Sequence, residues 1–132
     1  LLILDIWMQG GGMDGLELFE RMRREAVVVF RRYDLIMTPS AAALPWPAET
    51  THPPLIDGQP VGPRGHAIYT SWVNACAIPA INLPSAPSRA GLPIGFQLAA
   101  AFGADELLLQ VARRYEAAHP WQDRWPAIAF EA

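Results

Sequence analysis

A mixed α/β fold, in which part of a central β-sheet is flanked by helices, is the architecture this sequence predicts. Three observations carry it. Two long stretches, one near each end of the chain, repeat apolar residues at three- and four-residue steps. Between them lie three short apolar runs cut to length by prolines. A connection rich in proline and glycine separates the first of these runs from the other two.

The first periodic stretch is MDGLELFERMRREAVVVFRRYD, residues 13–34. Leu18, Met22, Ala26, Val29, Phe30 and Tyr33 fall on one stripe of a helix, and Asp14 suits its N-cap. Glu17 with Arg21, and Glu20 with Arg24, are i,i+4 pairs in the favoured order. Arg21, Arg23, Arg24, Arg31 and Arg32 therefore read as a solvated face interleaved with carboxylates rather than as a basic binding patch.

Asp34-Leu35-Ile36-Met37-Thr38 follows and stops at Pro39. Its lack of polar alternation predicts a strand covered on both faces. Residues 39–65 then hold seven of the thirteen prolines, a long irregular connection of the kind that tends to be functional or flexible. Ala67 to Ala77 is expected to be a helix with Tyr69, Trp72, Val73 and Cys76 on one side. Pro79 and Pro84 bracket a short strand, and Pro93 stands before a second, Ile94 to Leu98. An antiparallel hairpin with a loose turn through Gly91 is the economical pairing, and Gly95 leaves room for a close neighbour.

The last helix is expected over GADELLLQVARRYEAAHP, with Asp105 and Glu106 in its first turn and Pro120 as its stop. Leu107, Leu108, Val111, Ala112, Tyr115 and Ala118 form its apolar side. Trp121 and Trp125 in the tail are expected to pack back on the body. No internal repeat or low-complexity tract interrupts this order.

At 132 residues the chain has the length of one domain. Hydrophobic residues make up 52% and charged residues 17%, below the average of about 25%. So much apolar surface implies that the chain oligomerises or belongs to something larger. The net charge of -3 argues against nucleic acid as a partner. The opening LLILDIWM lacks a basic flank, contains Asp5 and ends at a glycine run, so neither a signal peptide nor a membrane span is expected there. It also lacks an initiator Met, and reads as a buried segment whose neighbours precede residue 1. With Cys76 as the single cysteine, a disulfide framework is excluded, and a reducing, cytoplasmic setting is the default.

A catalytic set is not visible. G-x-S-x-G does not occur, and Ser40, Ser71, Ser85 and Ser88 fit turns or helix surface. His52, His66 and His119 have no spacing that would gather a metal, and Cys76 sits on an apolar face as a structural cysteine should. All ten cations are Arg; lysine is absent, which removes any lysine base or Schiff-base former from this chain. A small hydrolase using Ser71 or Cys76 with His66 is the weakest of the readings left open.

Three blocks together resemble the amidase-signature hydrolases. They are YDLIMTPS after the first helix, then YTSWVNACAIPAINLPS, then GLPIGFQLAAAFGADELLLQVARRYE. The specific parts are N-x-x-x-x-P-A-I-x-x-P and G-L-P-x-G-x-Q-L, followed by a helix opening on Asp-Glu-Leu-Leu-Leu. The resemblance runs from residue 13 to 126 and is to the C-terminal part of the family only, with the N-terminal portion of the fold absent.

The resemblance implies a mixed central sheet between helices and hydrolysis of carboxamide C–N bonds without metal or other cofactor. It implies a nucleophilic serine, a second serine and a lysine base, all in the missing N-terminal portion. On that expectation no residue of this chain is catalytic, the chain is inactive alone, and its partners are the missing portion and a small-molecule amide. Tyr69 and Thr70 match the family's aromatic-Thr pair, and Asn74 its Asn, on a helix near the substrate pocket. Trp72 falls where many members have Pro, and Ala77 where many have Gly. Ala67 stands where the glutamyl-tRNA amidotransferase relatives place an Asp, so a less polar amide is expected. Tyr69, Thr70, Trp72 and Asn74 are the substrate-pocket candidates. The competing expectation is an inactive binding or assembly module that keeps the C-terminal half of this fold.

Overall fold

The computed structural model describes residues 15–125 and Ala129. The LLILDIWM segment and the Asp14 cap lie outside the described residues. Helix α1 spans Gly15–Phe30 and β1 spans Leu35–Pro39. Within the long connection, β2 (Leu55–Ile56) and β3 (Gln59–Pro60) form a small antiparallel pair. A 3-10 turn at Gly65–Ala67 leads to α2 (Ser71–Cys76), and β4 (Ala80–Pro84), β5 (Gly95–Ala100) and α3 (Asp105–Ala118) complete the order.

The main sheet runs β1-β5-β4, with both neighbours antiparallel to the central β5. The proline-framed hairpin forms as the sequence predicts, with Ile81 opposite Leu98 and Pro84 opposite Gly95. Ser85 N–H donates to Ile94 O at 2.9 Å at its mouth, and Gly91 turns the loop at φ +79°. Strand β5 continues past the predicted Leu98 through Ala99 and Ala100, which pair with Ile36 and Leu35 of β1, Ala99 also facing Ala80 of β4.

The core lies between α3 and one face of the sheet. Leu83, Leu98, Ala100, Leu108 and Ala112 are buried there, with Leu35, Ile81, Phe96, Tyr115 and Trp121 packed around them. Each fully buried leucine contributes about 1.5–3 kcal/mol. Phe96 meets Tyr115 edge-on at 5.2 Å, and the Tyr115 hydroxyl donates to Pro84 O at 2.7 Å, which fixes the end of α3 over the end of β4. The opposite face carries Ile36 and Thr38 of β1, against which α1 and α2 lie.

Several expectations need correction. Strand β1 is not covered on both faces: it sits at a sheet edge and Met37 is 70% exposed. On α1, Leu18 and Ala26 are buried, but Val29 and Tyr33, expected in the stripe, are exposed. The predicted Glu20–Arg24 pair does form, at 3.9 Å, and Arg21 in addition donates from Nε to Glu25 at 2.9 Å. The helix expected over 67–77 is only Ser71–Cys76. Thr70 and Ser71 hydroxyls both bond Ala67 O, and such side-chain bonds compete with a continuous helical ladder. Trp121 packs on the core, whereas Trp125 is exposed.

Candidate substrate-facing site

Helix α2 is short because both ends are set locally. Its last turn closes at Ala77, which takes the left-handed conformation at φ +54° and donates its N–H to the helix carbonyls of Asn74 and Val73. At its start the Tyr69 carbonyl receives two donors, Trp72 Nε1 at 2.9 Å and Thr38 Oγ1 at 3.4 Å. The second of these ties α2 to β1.

This arrangement divides the four substrate-pocket candidates. Tyr69 and Trp72 line a cavity of about 350 Å³ between α1, β1 and α2, together with Met22, Ile36, Thr38 and Cys76. Thr70 and Asn74 do not line it. Thr70 caps α2 without a side-chain cap bond, its hydroxyl being turned back to Ala67 O, and Asn74 is exposed one turn further on.

A second polar group escaped the sequence reading. On the sheet face away from α3, Gln97 stands opposite Thr38 on one side and Asn82 on the other. Ser40 extends this group: its hydroxyl donates to Asn82 Oδ1 at 2.9 Å, and its N–H to Gly95 O at 3.1 Å. A Cβ at Gly95 would lie 3.1 Å from Ser40 Oγ and 2.8 Å from Leu83 O, so the glycine does make room for a neighbour. Gln97 alternates with Phe96 and Leu98 as expected, yet it is only 6% exposed, because β5 is the central strand. Its Oε1 has no hydrogen-bond partner among the described residues. A polar residue inside the run GFQLAA was the available signal.

Chemically the described residues do not assemble a hydrolytic set. Ser40 Oγ gives its proton to an amide oxygen, which is no base, and Ser71 Oγ gives its own to Ala67 O. His66 stacks near Trp46 at 4.9 Å, and its Nδ1 has no hydrogen-bond partner among the described residues. Burial pushes the Cys76 thiol pKa up, against a smaller opposing pull from Arg23, so the thiolate is disfavoured. No group of three or more His, Cys, Asp or Glu suited to a metal occurs among the described residues. No described helix is long and apolar enough to cross a membrane.

A small antiparallel sheet with helices on its two faces, a proline-framed hairpin and a polar row centred on buried Gln97 define a mixed α/β scaffold. The model of the family described as Amidase matches residues 15–109, and the chain belongs to that family. It is 36% identical over 104 residues to AmiC of Mycobacterium tuberculosis, a protein carrying the name of an amidase; the match covers 76% of this chain and 21% of that one. It is 47% identical over 60 residues to the 6-aminohexanoate-cyclic-dimer hydrolase of Paenarthrobacter ureafaciens, covering 46% of this chain and 12% of that one. Among solved structures, a 6-aminohexanoate cyclic dimer hydrolase superposes with TM-score 0.73 at 29% identity, over 87% of this chain and 25% of that one. A bacterial aryl acylamidase of the amidase-signature enzymes gives TM-score 0.73 at 26% identity, over 81% and 22%. The matches thus cover between about an eighth and a quarter of the length of these relatives.

Proposed function

We propose that this chain is the C-terminal portion of a single amidase domain that hydrolyses carboxamide C–N bonds, with the Ser-Ser-Lys machinery carried outside it. The observation that carries this reading is a family match over 15–109 in a sequence without lysine. A serine nucleophile needs an adjacent base and preorganised donors, and neither Ser40 nor Ser71 has a base as partner. The chain alone is therefore inactive by the family's chemistry, and its partner is the remaining portion of the domain. The single cysteine supports a cytoplasmic setting.

Tyr69, Thr70, Trp72 and Asn74 border the substrate in the completed enzyme, which takes a weakly polar amide. Ala67, standing where glutamine-using relatives are expected to have Asp, supports that preference, as do relatives named for cyclic-dimer and acyl amides. The test is fragment complementation. The chain is assayed for amine release from a hydrophobic anilide, alone and after mixing with the N-terminal portion of an amidase relative. Activity only in the mixture is expected, with Trp72→Ala raising KM by about tenfold through lost apolar contact. Turnover by the chain alone overturns the reading.

A further inference from the structure

We propose that the groove between α1 and the β5–α3 turn binds an aliphatic chain ending in a carboxylate. The groove has a volume of about 450 Å³, and its apolar floor is made by Ala26, Phe30, Cys76, Ile78 and Ala101. Two large apolar side chains stand open at its rim, Val27 at 54% exposure and Phe102 at 78%.

Charge decides the class of ligand. Arg23 and Arg31 both line the groove, and no carboxylate among the described residues does. Their neighbours on α1 are neutralised, Arg21 by Glu25 at 2.9 Å and Arg24 by Glu20 at 3.9 Å. Arg23 and Arg31 make no ion pair among the described residues. A guanidinium presents paired donors that match a carboxylate in a two-point contact. Arg31 follows Arg23 by eight positions and stands just past the end of α1, about 12 Å further along at helical rise. Two cations therefore border an apolar trough, complementary to a hydrocarbon chain with an anionic head. Monocarboxylates and α,ω-dicarboxylates share this chemistry. An apolar ammonium is repelled, and a short carboxylate leaves the floor unfilled.

The inference is independent of the amidase reading, which stands or falls on complementation. Isothermal titration of the whole chain with octanoate, octanedioate, octylamine and acetate tests it. Octanoate or octanedioate is expected to saturate, with octylamine and acetate at least about tenfold weaker. Tighter binding of octanedioate identifies the two-headed ligand, and parity the single-headed one. The double variant Arg23→Gln/Arg31→Gln is expected to weaken the carboxylate by at least about tenfold. Arg21→Gln/Arg24→Gln is expected to leave it unchanged, with circular dichroism checking both folds. Cys76 on the floor gives a second readout, since bound ligand slows its reaction with a thiol reagent. Equal binding of octylamine, an unchanged affinity in the Arg23/Arg31 variant, or loss of binding when the N-terminal portion of an amidase is added would each overturn the proposal.

Discussion

At Gly95 the backbone of β4 and the Ser40 hydroxyl approach so closely that a methyl group would lie 2.8 Å from Leu83 O. Gly95→Ala is expected to cost about 1–3 kcal/mol by overpacking, read as a lower denaturant midpoint. Adding Ser40→Ala should recover only part of it, since the backbone oxygen cannot move as a hydroxyl can. Ala77 gives the opposite sign. It holds φ +54°, where a Cβ is unfavourable, so Ala77→Gly is expected to stabilise by about 1 kcal/mol in thermal or chemical unfolding. Cys76 supplies a pH dependence. Its pKa is raised by burial in the folded chain, so the unfolded thiol ionises first as pH rises. This contribution is fully present below the ordinary thiol range and is lost as pH climbs through it; Cys76→Ala should flatten the alkaline limb of a stability-pH curve.

At the level of elements, the contact between α3 and β4 depends on one side chain as much as on the leucines. Tyr115→Phe keeps the ring against Phe96 but removes the bond to Pro84 O, at an expected cost of about 1 kcal/mol. Leu108→Ala, in the centre of the same layer, should cost about 2–5 kcal/mol in the same assay. The hairpin and α3 were legible in the sequence because prolines mark strand ends and the 3.6 period is strong. The extent of α2 was not, since hydroxyl bonds from Thr70 and Ser71 to Ala67 O override a favourable period. The β2–β3 pair was readable but missed: Asp57-Gly58 sits at positive φ in its turn, the signature of a two-residue hairpin. Of the site, the spacing put Tyr69 and Trp72 on one side, and they line one cavity although Tyr69 precedes α2. The Thr38, Gln97, Asn82 and Ser40 row depends on strand order, which no local pattern encodes.

For the molecule as a whole, exposed Leu16, Val28 and Met37, away from the groove, accord with a composition rich in apolar and poor in charged residues. A hydrophobic dye is expected to bind the chain and to be displaced when the N-terminal portion of an amidase is added; retained dye would argue against a shared interface. Strand β4 adds a constraint of another kind. It is an edge of the described sheet, and a bare edge is a template on which further copies add strands. Ser85 N–H points toward β5, so the position before it points outward, and there Pro84 has no N–H to offer. Pro84→Val would restore that donor and lengthen the adhesive edge. Light scattering during refolding should then rise earlier and more steeply with protein concentration, which makes this proline a determinant of solubility as well as of strand length.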